Sequence, residues 1–224
     1  SYYGGTNNDR AHAVIEADDG SFVMEGFSES DDYDISDTKG SYDFWVIKLT
    51  ASGELLWERS FGGSGIEIAY DIAKTTDGAY IVTGNTFSSD KDVSKNHGES
   101  DVWLIKIDAN GNLLWEKTFG GSQFDAAQAV TTTKDGGFII TGNTKSTDGD
   151  ADENQGENDI WINKTDSEGN LLWQDSYGGS DLDYGFDAVE NDDKSLLIVG
   201  ESTSNNLPNL TNKGLSDVLI IKIK

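Results

Sequence analysis

One period governs this chain. Trp45, Trp103 and Trp161 recur every 58 residues, and Trp57, Trp115 and Trp173 keep the same step. So do the Gly-Gly pairs at 4/5, 62/63, 120/121 and 178/179, and the lysines Lys48, Lys106, Lys164 and Lys222. No insertion or deletion separates the copies, so one structural unit is used four times, over residues 1–59, 60–117, 118–175 and 176–224. A repeat that must cover its faces with its neighbours predicts one domain over 1–224.

The third copy shows the unit most clearly. A run at 125–133 and a run at 137–142 flank Lys134-Asp135-Gly136, the signal of a β-hairpin between strands A and B. A second hairpin, strands C and D, joins Asp159-Ile160-Trp161-Ile162-Asn163-Lys164 to Asn170-Leu171-Leu172-Trp173-Gln174. In the first copy strand C is apolar on both faces, with Phe44 and Val46 on one side and Trp45, Ile47 and Leu49 on the other. A strand buried on both faces needs sheets stacked on sheets. Four-stranded antiparallel meanders stacked face to face are the blades of a β-propeller, so the expected class is all-β, a propeller with four 58-residue repeats in this chain. Strand D is expected at 54–59, 112–117 and 170–175, whereas the fourth copy stops after strand C. Closure is thus left to a short fourth blade, to a larger ring in a longer chain, or to a dimer completing the ring. The opening Ser1-Tyr2-Tyr3-Gly4-Gly5 aligns with the middle of a repeat and suggests a processed or excised piece.

Composition narrows the partners. Sixteen basic residues against 41 acidic ones give a formal charge of −25, which repels nucleic-acid phosphates and anionic lipid headgroups. With no cysteine there is neither a disulfide framework nor a thiolate metal site. No apolar run approaches the roughly 20 residues that cross a bilayer, so direct membrane insertion is not expected.

Between strands B and C, three copies place side-chain oxygens at alternate positions. They are Asp32, Asp34, Ser36, Thr38 and Asp43, then Asp90, Asp92, Ser94, Asn96 and Asp101, then Asp148, Asp150, Asp152, Asn154 and Asp159. Counted from the first Asp, the oxygens stand at 1, 3, 5, 7 and 12, the ligand spacing of a twelve-residue calcium loop. Position 6 is not Gly, position 12 is Asp rather than Glu, and strands flank the loop, so the likeness to an EF-hand ends at spacing. The fourth copy has Asn206, Pro208, Leu210 and Asn212 instead and is expected to bind no ion. Residues 28–43, 86–101 and 144–159 hold 16 acids and 4 bases, a density that bound cations would neutralise. Calcium is therefore the expected cofactor. Asp9, Glu67, Asp125 and Asp183, just after each Gly-Gly pair, are expected to accept hydrogen bonds from the turn rather than line a ligand surface.

No catalytic motif stands out: His12 and His97 lie in different copies, and no copy gains a distinctive set of reactive groups. The four lysines read as a repeated structural ion pair or as snorkelling stems, not as catalytic amines.

The strand order and tryptophans resemble kelch-type blades, with a single glycine (Gly26, Gly84, Gly142, Gly200) where kelch has two. The segment 108–115 is similar to the tryptophan-docking element of quinoprotein propellers. The full unit, with Trp-x-x-x-Phe/Tyr-Gly-Gly-Ser, Asp-Gly-Gly-Phe-Ile-Ile-x-Gly-Asn-Thr and Asp-x-Trp-x-x-Lys, resembles tandem repeats of secreted, surface-displayed proteins of Bacteroidota and some archaea. That resemblance implies a secreted or cell-surface bacterial protein, non-enzymatic, acting in adhesion or binding of a glycan or protein partner. The alternatives are a propeller enzyme, either a glycoside hydrolase or lyase or a quinone-dependent dehydrogenase, and a structural spacer of a larger adhesin.

Overall fold

A computed structural model describes residues 1–208 and 210–224. The described residues form fifteen β-strands and no helix. The first sheet runs β1 (Asp9–Glu16), β2 (Phe22–Ser28), β3 (Asp43–Leu49), β4 (Leu55–Phe61). The second runs β5 (Glu67–Lys74), β6 (Tyr80–Thr86), β7 (Asp101–Ile107), β8 (Leu113–Phe119). The third contains β9 (Asp125–Thr132), β10 (Phe138–Thr144), β11 (Asp159–Thr165) and β12 (Leu171–Tyr177). The last has three strands, β13 (Asp183–Glu190), β14 (Leu196–Ser202) and β15 (Asp217–Ile223). Each sheet is a meander of consecutive antiparallel strands, as the hairpin signals predict. The D strands β4, β8 and β12 extend two residues beyond expectation, because the aromatic residue ahead of each Gly-Gly pair still pairs within the sheet.

Packing divides the chain into two compact units, Ser1–Asn96 with Trp103–Thr118, and His97–Val102 with Phe119–Lys224. In the first unit β5 lies against β1, β2 and β3. Phe44 and Val46 share a core there with Ala69, Ile72, Tyr80, Val82 and Trp103, while Trp45, Ile47 and Leu49 form a second cluster with Ile35. Strand β3 is therefore buried at all seven positions, the two-faced burial that its sequence requires. In the second unit β13 packs on β9, β10 and β11, and Ile160 and Ile162 meet Ala188, Leu196 and Ile198.

Two recurrent devices fix each repeat. Strand A carries a bulge at every copy, between Ala11 and Ala13, Ala69 and Asp71, opposite Thr141 and Gly142, and between Gly185 and Asp187. A Cβ on Gly142 would collide with the backbone of Ala126 and Ala127, so the single glycine of strand B makes room for the bulged neighbour. The lysine of strand C then pairs with the Asp of the A–B turn: Lys48–Asp19 at 3.1 Å, Lys106–Asp77 at 2.8 Å, Lys164–Asp135 at 2.8 Å and Lys222–Asp193 at 3.8 Å. The Lys106 ammonium, with the Thr75 hydroxyl, holds the Asp77 carboxyl down at about 2. These are the structural ion pairs expected from the repeat.

Candidate functional site

Each Gly-Gly pair forms a tight D–A turn whose amide groups have no sheet partner, and the chain supplies acceptors from two directions. In the second repeat Gly63 N donates to Glu67 Oε2 at 2.7 Å, the first residue of β5. Ser64 N donates to Asp90 Oδ1 at 2.7 Å and Gly62 N to Asp92 Oδ2 at 3.2 Å, both in the B–C loop. Gly65 N completes the set with Ser88 Oγ at 2.8 Å. The pattern repeats. Asp32 takes Thr6 N and Asp34 takes Gly4 N, while Asp148 takes Ser122 N and Asp150 takes Gly120 N. Consecutive N–H groups of this kind make a small anion-binding concavity, filled here by the protein's own carboxylates. The Ser64 amide holds the Asp90 carboxyl below the usual carboxylate range.

The fourth repeat shows what this clasp requires. Asn206 Oδ1 accepts Ser180 N at 2.8 Å, just where its three counterparts use Asp. A neutral acceptor makes the same hydrogen bond as the carboxylate. Replacing Asp148 by Asn should therefore leave stability within about 0.5 kcal/mol, while Asp148→Ala should cost about 1 kcal/mol through the orphaned amide, as read from denaturant midpoints.

The remaining predicted ligands go elsewhere. At position 5, Ser36 meets Glu58 and Asp152 meets Gln174, both on strand D, and Ser94 is exposed. At position 7, Asn96 Nδ2 and Asn154 Nδ2 donate to the Thr86 and Thr144 carbonyls at 3.1 and 2.8 Å, and Thr38 is half-buried. Within each loop the structure thus joins positions 1 and 3 at one turn and gives positions 5, 7 and 12 other partners. Among the described residues, no group of three or more His, Asp or Glu side chains is placed around a common metal position.

Position 12 is different. Asp43 Oδ2 accepts Lys39 N at 2.6 Å, Asp101 Oδ2 accepts His97 N at 2.8 Å, and Asp159 Oδ2 accepts Gln155 N at 2.8 Å. The other oxygen of each, Oδ1, is buried and has no hydrogen-bond partner. It faces a second carboxylate from the following repeat. A Cβ on Gly62 would collide with Asp43 Oδ1 and crowd Glu67 Oε2, and Gly120 and Gly178 stand in the same way between Asp101 and Asp125 and between Asp159 and Asp183. All six acids are buried. Burial, reinforced by the neighbouring Glu67, pushes the Asp43 carboxyl up to about 6, and burial with Asp183 does the same to Asp159. Burial raises Asp101 and Asp125 as well.

Sequence reasoning placed Glu67, Asp125 and Asp183 at the turn amides, and the structure agrees for Gly63, Gly121 and Gly179. It overlooked their second role, facing the strand-C Asp. The four serines Ser30, Ser88, Ser146 and Ser204 were also overlooked, although they keep the 58-residue step and each accepts a turn amide. His12 stacks on Tyr70 and contacts Ala69 O at 2.6 Å, whereas His97 Nδ1 lies 2.5 Å from Asp101 Oδ2.

No family model matches the sequence. Over 115 residues it is 27% identical to the regulatory protein FlaEY of Caulobacter vibrioides, a match that takes in 48% of this chain and 12% of that protein. The chain thus spans a small fraction of the length of that relative.

Proposed function

We propose that this chain is a non-enzymatic, cation-stabilised β-propeller module of the bacterial surface or exterior, which binds a protein or glycan partner. The observation that carries the cation is the buried, unpartnered carboxylate oxygen beside a second carboxylate, present at three equivalent junctions. Two buried carboxylates repel one another and lose hydration worth several kcal/mol each, so a neutralising ion is the economical occupant. A hard divalent cation prefers such oxygens, and calcium tolerates an irregular shell completed by carbonyls and water better than magnesium does. Asp43 with Glu67, Asp101 with Asp125, and Asp159 with Asp183 would hold it. The propeller reading rests on meanders that stack face to face within each unit at a constant repeat length. Near-equivalent repeats that present a regular surface support a binding role. The regulatory designation of FlaEY is in keeping with a module that binds.

Calorimetric titration of chelator-treated protein with calcium, paired with melting curves, tests this reading. One ion per junction is expected, each adding about 2.7 kcal/mol at a hundredfold excess over its dissociation constant. Asp159→Asn should remove one ion and leave the others. Loss of an ion on Asp148→Asn or Asp150→Asn would instead place it in the B–C loop, and a melting temperature indifferent to calcium would refute the cation altogether.

A further inference from the structure

The three acid pairs are equivalent in the repeat but differ in what surrounds them. At the third junction Asp159 Oδ1 and Asp183 Oδ1 are both buried without a hydrogen-bond partner among the described residues. Asp183 Oδ2 accepts Gly179 N and Ser204 Oγ, each at 2.8 Å, while Ser202, in the place of Thr86, accepts Ser204 N at 3.1 Å and leaves Asp183 Oδ1 alone. The first junction has one such oxygen, Asp43 Oδ1. Its second acid is fully engaged, because Glu67 Oε1 accepts Thr86 Oγ1 at 2.8 Å and Glu67 Oε2 accepts Gly63 N at 2.7 Å.

Positive charge divides the two junctions in the same way. Lys39 stands four residues before Asp43, whereas the neutral Gln155 stands four residues before Asp159. The Lys39 ammonium reaches Ser60 O at 3.5 Å and Asp92 Oδ2 at 3.9 Å. That Asp92 oxygen also accepts Gly62 N at 3.2 Å, so the ammonium stands beside the glycine that separates Asp43 from Glu67. Burial pushes the Asp43 carboxyl up, and the Lys39 charge opposes it. A unit charge held this close repels a divalent ion, and at a partly buried site salt screens that repulsion little.

We propose, resting on the cation reading above, that the junctions are graded: Asp159 with Asp183 holds a resident divalent ion, whereas Asp43 with Glu67, attenuated by Lys39, takes one reversibly and responds to the ambient concentration. Two unpartnered carboxylate oxygens with no competing charge favour a hard cation at the third pair. The first pair offers one such oxygen and an ammonium beside it. The two junctions belong to different compact units, the first to the unit containing Ser1–Asn96 and the third to the unit containing Phe119–Lys224. A change in free ion therefore acts on the first unit while the third junction stays loaded.

Calorimetric titration of the whole chain with calcium ion, in competition with a chelator of known affinity, tests the grading. The tightest step is expected to bind at least roughly tenfold more strongly than the step at the first junction. Exchanging the charged and neutral neighbours assigns the steps. Lys39→Gln should tighten one of the weaker steps about tenfold and leave the tightest unchanged, and Gln155→Lys should weaken the tightest step by a factor of about ten. Gln155 is exposed, so should Lys39→Gln lose the β-sheet circular dichroism, Gln155→Lys decides alone. Steps of equal affinity in the unmodified chain, or a tightest step that Gln155→Lys does not weaken, would overturn the grading and leave the cation reading standing. Absence of any calcium binding would overturn both.

Discussion

Replacing Glu25 by Thr should stabilise the protein by about 4 kcal/mol near pH 8 and change it little below pH 4.5. Glu25 is buried in β2 and neither carboxylate oxygen has a hydrogen-bond partner. Burial, and secondarily the charge of Asp71, raises its carboxyl from 4.5 to about 8. The sign follows from the proton count. Between these two values the unfolded chain has released the proton and the folded chain retains it, so unfolding releases a proton and stability falls as pH rises. The cost is absent below the unfolded value and fully developed above the folded one. Thr83 and Thr141 occupy the same place in the second and third repeats, and Thr83 Oγ1 donates to the Trp103 carbonyl at 3.3 Å. Urea unfolding across this pH range should show the unmodified curve descending relative to the variant by up to 1.36 kcal/mol per pH unit. Parallel curves would show that Glu25 is ionised and solvated in the folded protein.

The second large effect separates the two tryptophan series. Trp103→Ala should cost about 3 to 5 kcal/mol, since the ring is fully buried, lies 4.6 Å from the Phe44 ring and donates Nε1–H to Glu116 Oε2 at 2.9 Å. Trp173→Ala should cost about 1 to 2 kcal/mol, because that side chain is 39% exposed. Equal losses in denaturant midpoints would contradict the division into an inner series on strand C and an outer one on strand D.

Much of this architecture was legible because the repeat turns one ambiguous pattern into four aligned ones. Strand C shows the point: Phe44, Trp45, Val46 and Ile47 are apolar in unbroken succession, and a strand buried on both faces is what such a run becomes. The acid loop was less legible for a physical reason. Reading alternate positions as pointing one way assumes an extended backbone, but the residue between positions 1 and 3 has positive φ, 54° at Tyr33, 57° at Lys91 and 68° at Gly149. That left-handed residue redirects the chain, so Asp32 and Asp34 grip one turn, while Ile35, Val93 and Ala151 at position 4 plug into the interior. The carboxylate pairs were hidden for another reason. Their members lie 24 residues apart in different repeats, as Asp43 and Glu67 do, and only stacking brings them face to face.

Every sheet here is assembled from strands adjacent in sequence, and that has a consequence during biosynthesis. A nascent chain emerging from the ribosome can close each sheet as soon as its own segment is out, without leaving a hydrophobic strand waiting for a distant partner. Such short-range pairing favours rapid folding and limits the time in which sticky intermediates can meet. It also lets gene duplication lengthen the array one segment at a time, because a new segment brings nearly all of its own hydrogen bonds with it.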